Sequence, residues 1–294
     1  MHYTLRQLQI FLAVARHSNV SRAAEELSLS QSAISTALSE FERHYDLQLF
    51  DRSGKRLQLN SIGTALRSRA EALLAQADEF EQLLKGKQAL GALRIGATQT
   101  IASYLLPDLI AEFFNRQGDL PLHVTQGNTA AICAQVLNFE LDVALIEGEW
   151  SHPDLQIDSW RDDELVVIAA ANHPLAKKSS LSENHLLGAD WIVREKGSGT
   201  RQAFERAMHG ILPNLKIRLE LQHSEAIKRA VIQGLGLSCL SRIAVVEQLQ
   251  NGTLVSLNVP RRDFRREFYR VERKNKYRPA LLQQWLDFLS DTGG

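Results

Sequence analysis

Gln31, Ser32, Ser35, Thr36, Ser39 and Arg43 follow one another at gaps of one, three and four, which stacks their polar groups along one side of a helix. Such a face has little value inside a core. It suits hydrogen bonding to base edges and phosphates in a major groove. Further on, Gly54 turns between two β-prone runs, residues 47–50 and 56–59, and presents Arg52, Lys55 and Arg56. Each of these cations can neutralise a phosphate or enter a minor groove. A second set of polar groups lies in three turns: Ala97-Thr98-Gln99-Thr100, Gly127-Asn128-Thr129 and Gly197-Ser198-Gly199-Thr200-Arg201. Each precedes a helix, whose first N–H groups are unpaired and partly positive, and Gly-Ser-Gly-Thr can form a nest of amides. Donors outnumber acceptors there, so a small anion is the natural ligand. Each turn also reads as plain helix capping. Glu147, in LIEGEW, is the exception among these donors. It can orient a donor, accept a hydrogen bond from a protonated ligand, or pair with Arg201. His223-Ser224-Glu225 is a further capping turn that can line the same cleft.

Enzymatic patterns are missing around these residues. No Gly-x-Gly-x-x-Gly follows the first strand of the second half, and Gly-Ser-Gly-Thr-Arg lacks the Lys and the spacing of a P-loop. Ser198 sits in no Gly-x-Ser-x-Gly elbow. The nine histidines are scattered without metal-ligand spacing, with His173 and His185 on loops, so neither a metal nor a cofactor is expected. Cys133 and Cys239 stand 106 positions apart in apolar contexts and read as buried structural thiols.

The elements that must hold the first set are legible as periodicities. Leu5, Leu8, Phe11, Leu12 and Ala15 predict a helix over residues 4–17 with Thr4 as its cap. After a break at Ser18 and Asn19, Ser21 is expected to cap a compact helix with Ala23, Ala24 and Leu27 inward. Ser30 caps a third, with Ile34, Leu38 and Phe41 on its inner side. Small residues in the second helix let two helices cross closely. Residues 61–85 then read as one long helix. Leu66, Ala70, Leu73, Ala77, Phe80 and Leu84 are spaced 4, 3, 4, 3 and 4, a heptad seam for a second helix. GKQALG, residues 86–91, forms a hinge.

From residue 92 strands alternate with helices. Strands are expected at 93–97, 122–126, 143–147, 165–169, 191–194, 219–222, 237–240, 254–257 and 267–272, and helices at 107–116, 129–139, 200–209, 225–233 and 279–289. Alternation of this kind means parallel sheets covered by helices, here in two subdomains.

Residues 4–63, from TLRQLQIF through SRAAEELSLSQSAISTALSEFE to LQLNSIG, closely resemble the winged helix-turn-helix of the LysR-type transcriptional regulators. The resemblance implies an all-α winged helix-turn-helix domain at residues 1–60 and a dimerising linker helix with hinge at 61–90. An α/β two-lobed effector domain similar to type 2 periplasmic binding proteins follows, with lobe 1 at 91–161 and 266–294 and lobe 2 at 162–265. It also implies that Gln31, Ser32, Ser35 and Thr36 probe the groove, while Ser21, Arg22, Arg52, Lys55 and Arg56 belong to the same DNA-facing set. Many family members carry Pro where this chain has Ser32. In the second half, GNTAAI, LIEGEW, REKGSGTR and SEAIKRAVIQGLGLSCLS resemble a subgroup that includes regulators of sulfur assimilation, sulfite response and carbon fixation. That points to a small sulfur oxyanion or a phosphorylated metabolite as effector. Its expected contacts are Thr98, Gln99, Thr100, Asn128, Thr129, Glu147, Ser198, Thr200 and Arg201. The implied partners are double-stranded operator DNA, a small anionic effector and further copies of the chain, paired through the linker helix and again into tetramers. RNA polymerase is a further partner that the resemblance admits.

Composition is compatible with this reading. At 294 residues, 44% hydrophobic and 23% charged, the chain is neither disordered nor a disulfide scaffold. Its longest apolar runs, such as residues 165–171, fall well short of the roughly 20 residues of a membrane helix. The N-terminus carries no export signal, so a cytoplasmic location is expected. The zero net charge conceals an acidic body, with 14 Lys and Arg against 19 Asp and Glu over residues 92–260. A basic run over 261–278, with nine against three, reads as a solvated strand face. Two other readings each cover only part of the chain. A solute-binding module accounts for residues 92–294, and a constitutive DNA-architectural protein accounts for the first sixty.

Overall fold

The structure is a computed structural model that describes residues 3–53, 56–85 and 92–292. The chain divides into two units, residues 1–91 with 274–283 and residues 92–273 with 284–294.

In the first unit, α1 (Leu5–His17) opens on a capping box: Thr4 accepts from the Gln7 amide, and the Gln7 side chain accepts from Thr4 N–H in return. Helix α2 (Val20–Leu27) is capped by Asn19, not by Ser21. The Asn19 carboxamide oxygen accepts from the Ser21 and Arg22 amides, because the helix begins two residues earlier than the Ser21 reading assumed. Helix α3 (Gln31–His44) is capped by Ser30 as expected. Phe11, Val14, Ala23, Ala24, Ile34 and Leu38 close the core between the three helices. The wing is β1 (Phe50–Ser53) paired antiparallel with β2 (Arg56–Leu59). It starts three residues later than the expected strand at 47–50, since Leu47 and Leu49 pack inward against the helices.

Helix α4 (Ser61–Leu84) departs from the expected seam. Leu66 and Ala70 belong to the core of the winged unit, together with Leu74, because α1 packs against this helix. Among the described residues, the large apolar side chains of this helix left outside are Ile62, Leu73, Phe80 and Leu84, with Phe80 63% and Leu84 72% exposed. Their spacing of 11, 7 and 4 keeps them on one helical stripe. The hinge at 86–91 lies outside the described residues.

The second unit runs β3 (Leu93–Thr98), α5 (Gln99–Tyr104), α6 (Leu106–Gln117), β4 (Leu122–Gly127), α7 (Thr129–Leu137), β5 (Val143–Ile146) and β6 (Leu155–Ala170). It continues α8 (Glu183–Gly188), β7 (Asp190–Arg194), α9 (Gly199–Ala207), β8 (Lys216–Leu221), α10 (Ser224–Ile232), β9 (Ser238–Ser241), α11 (Arg242–Gln250), β10 (Leu254–Leu257), β11 (Arg265–Arg273) and, from residue 284 onward, α12 (Ala280–Thr292). Strand β3 pairs in parallel with β4 and β5, while β11 lies antiparallel between β5 and β6. The sheets are therefore mixed and not purely parallel.

Strand β6 is the main surprise. Only residues 165–169 were expected, yet one strand of 16 residues crosses the unit. Residues 155–164 pair with β11 in the first lobe, and residues 165–170 pair with β9 and β10 in the second. Its first half, LQIDSWRDDE, is too charged to read as a strand from hydropathy. Each lobe has its own core. Ile132, Cys133, Val136 and Val271 fill one, and Trp191, Phe204, Met208 and Leu237 fill part of the other. Phe113 of the first lobe packs edge-on against Trp285 of α12.

Candidate functional site

Helix α3 exposes Gln31, Ser32, Ser35 and Thr36 while burying Ile34 and Leu38, as its periodicity requires. The Ser32 hydroxyl lies 3.0 Å from that of the capping Ser30 and shares a hydrogen bond with it in which either can donate. Arg22 is exposed and Ser21 half-buried at the start of α2. Strands β1 and β2 carry Arg52 and Arg56; Lys55 lies outside the described residues.

In the second unit the three Ser/Thr turns meet, and Glu147 stands at their centre. Its carboxylate accepts from the Thr100 amide at 2.9 Å, the Thr100 hydroxyl at 2.6 Å and the Thr200 hydroxyl at 2.9 Å. It also pairs with Arg266 Nη1 at 2.8 Å. Thr100 belongs to the first lobe, Thr200 to the second and Arg266 to the strand at the crossing, so a single carboxylate joins all three. Arg266 Nε reaches Asp163 at 2.6 Å, and the Ser241 hydroxyl donates to the other oxygen of Asp163 at 2.7 Å. Burial alone would raise the Glu147 pKa. Arg266, the two Thr100 bonds and the nearby Arg194 outweigh burial and hold it below the usual carboxylate value.

The lobes touch closely here. A Cβ on Gly199 would lie 1.3 Å from the Glu147 carbonyl oxygen, so only glycine permits this approach. Several buried donors in this lobe-joining region find no protein partner: Arg266 Nη2, Arg194 Nη1, and the hydroxyls of Thr98 at the start of α5 and Thr129 at the start of α7. Thr129 Oγ1 lies 3.2 Å from where a Cβ on Gly148 would sit, beside Glu147 in the chain. Arg194 is otherwise held by its neighbour Glu195 through bonds of 2.8 and 2.9 Å. A cavity of about 310 Å³ opens at the edge of the cleft, lined by Thr129, Trp150, Lys196, Ser198 and Gln202 among others.

Several expected contacts take other roles. Glu147 pairs with Arg266 and not with Arg201, which is tied within its own lobe to Glu205, Glu220 and the Arg194 carbonyl. Asn128 and Ser198 cap α7 and α9 by accepting from the Ala131 and Arg201 amides, the plain structural role open to both. Gln99 is half-buried beside Thr98 and Thr100. Sequence reasoning missed Arg266, Asp163, Arg194 and Ser241. Arg266 lies in the basic run read as a solvated face; its side chain is buried, while that of Arg265 is 81% exposed. The available signal was phase: Arg266 is two residues before the buried Phe268, on the inner side of the same strand. Cys133 and Cys239 are free and buried, and burial pushes the Cys133 thiol up to about 12. Among the described residues, no group of three or more His, Cys, Asp or Glu is placed to hold a metal ion. No helix among them is long and apolar enough to cross a membrane.

Comparisons with known proteins agree with this architecture. The model of the LysR substrate binding domain matches residues 86–294, and that of the bacterial regulatory helix-turn-helix protein, lysR family, matches residues 5–64. The uncharacterized HTH-type transcriptional regulator YeiE of Escherichia coli K12 is 42% identical, over 98% of this chain and 97% of its own. Full-length OxyR from Pseudomonas aeruginosa superposes with a TM-score of 0.70 at 24% identity, covering 99% of this chain and 95% of that one. The regulatory domain of CcmR from Synechocystis, solved in complex with 2-PG, gives a TM-score of 0.63 at 31% identity, over 69% of this chain and 97% of its own.

Proposed function

We propose that this chain, which belongs to the LysR family of transcriptional regulators, responds to a small oxyanion held between the two lobes of its second unit. It is a ligand-responsive DNA-binding regulator and not an enzyme. One observation carries the effector reading: Arg266 Nη2 and Arg194 Nη1, from the two guanidinium groups that act on Glu147, and the Thr98 and Thr129 hydroxyls, at the starts of α5 and α7, are buried donors without protein partners. Unmet buried donors are costly, and an oxyanion with acceptors on every side satisfies them without any apolar contact. The Thr100 and Thr200 hydroxyls donate to Glu147 and hold that carboxylate in place. The sulfite or sulfate class fits these groups. A small phosphorylated acid is the second reading, favoured by the 2-PG in the related CcmR regulatory domain.

The exposed face of α3 enters the major groove, with Gln31, Ser35 and Thr36 toward the bases and the wing cations toward phosphates. Two chains pair through the exposed stripe of α4, and the effector units pair dimers into tetramers in the cytoplasm. Effector binding alters lobe closure and, through it, DNA affinity, a coupling typically of about 1–3 kcal/mol. Calorimetry of the full-length protein with small oxyanions tests this. Binding heat should vanish in Thr98→Val and Arg194→Met variants that still fold. An aromatic or long-chain effector that binds where oxyanions do not would overturn the oxyanion reading and leave the regulator standing.

A further inference from the structure

We infer that the cleft selects an oxyanion that carries a proton, and that Glu147 is the acceptor that reads it; this rests on the oxyanion reading above. The charge count in the site leads there. Two guanidinium groups are buried beside Glu147, those of Arg266 from β11 and Arg194 from β7. Arg266 already faces two carboxylates, Glu147 and Asp163 of β6, and Arg194 already faces Glu195. Three carboxylates thus share two cations before any ligand enters. A dianion with no proton would add two negative charges to a site already short of positive ones, with an ionised carboxylate beside it. An oxyanion bearing an O–H brings a hydrogen for that carboxylate, and as a monoanion it also brings less charge. It donates that hydrogen to Glu147, while its other oxygens accept from Arg266 Nη2, Arg194 Nη1 and the Thr98 and Thr129 hydroxyls. Free donors thus stand with a carboxylate whose Oε2 takes three of its bonds and whose Oε1 accepts from the Thr100 amide, leaving on Oε1 room for one more hydrogen, the complement of a hydrogen-bearing oxyanion.

Sites built to hydrogen-bond a ligand O–H reject analogues lacking it by about 10⁴-fold or more. Phosphate and sulfate make that comparison cleanly, being tetrahedral anions of similar size. Phosphate keeps a proton throughout the neutral range, and sulfate has none. Sulfite adds a control within one ligand, since it loses its proton near neutrality. Calorimetry on the full-length protein at matched ionic strength should compare phosphate, sulfite and sulfate. At pH 6, phosphate or sulfite should bind at least a hundredfold more tightly than sulfate. Sulfite affinity should fall about tenfold per pH unit above neutrality, while that of phosphate holds. Glu147→Gln, whose amide can donate, should bring sulfate within tenfold of phosphate. If sulfate binds the wild type as tightly as the proton-bearing anions, or if Glu147→Gln folds and still excludes sulfate, the inference falls while the oxyanion reading survives. If none of the three anions binds the wild type, both fall together. Should Glu147→Gln fail to fold, the wild-type phosphate-to-sulfate ratio and the sulfite pH profile decide the matter alone.

Discussion

Arg266→Met removes a cation that two buried carboxylates share. Arg266 lies 2.8 Å from Glu147 and 2.6 Å from Asp163, with all three side chains under 5% exposed. Breaking a buried pair from one side leaves an uncompensated charge and costs roughly 3–5 kcal/mol. For a unit of this size each kcal/mol lowers Tm by about 2–4 °C, so the effector unit should melt on the order of 6–20 °C lower at pH 7. The pH dependence identifies the cause. In the wild type the folded Glu147 pKa lies below its usual value. Its contribution to stability is therefore present above the unfolded carboxylate pKa, about 4.3, and is lost as pH falls through the folded value. Without Arg266, burial pushes that pKa upward, and the variant loses stability as pH rises instead. The gap between wild type and variant should thus be widest near pH 7 and shrink toward pH 4.5. Adding Glu147→Gln to Arg266→Met should recover over 1 kcal/mol, because one of the stranded charges is gone. Scanning calorimetry from pH 4.5 to 8 measures all of this. A drop below 3 °C, or a gap independent of pH, would refute the buried-charge account.

Gly199→Ala places a Cβ 1.3 Å from the Glu147 carbonyl oxygen, backbone against backbone, so the lobes must part and the Thr200 bond to Glu147 must break. Effector affinity should fall at least tenfold by calorimetry, about 1.4 kcal/mol, with effector-free DNA binding unchanged. Gln31→Ala should flatten sequence preference by about 1–3 kcal/mol at one base pair, read by gel shift on operator variants; an equal loss on every sequence would count against the α3 assignment. Phe80→Asp, on the exposed stripe of α4, should split the dimer in sedimentation, whereas Ala70→Leu should disturb folding of the winged unit, where Ala70 is buried. Asn19→Ala removes the α2 cap and should cost about 1 kcal/mol in thermal melts.

The three N-terminal helices, the presence of a wing and the polar face of α3 could be read from spacing, because short-range periodicity is a local property, while the α2 cap and the start of the wing strand were set by packing. The same holds for the Ser/Thr turns ahead of helices and for most strands of the second unit. Tertiary contacts decided the rest. Leu66 and Ala70 share the heptad pattern with Leu73 and Phe80, and only the packing of α1 against α4 assigns the first pair inward and leaves the second pair outside. Residues 155–164 look like a polar loop, yet pairing with β11 makes them half of the strand that joins the lobes. Glu147, Asp163, Arg194 and Arg266 are up to 119 positions apart in a chain with 68 charged residues, and nothing local marks these four as buried. Which charge faces which is set by where distant strands end. The polar contacts that tie the two lobes therefore came from the fold, while the helices presented to DNA were already written in the order of the residues.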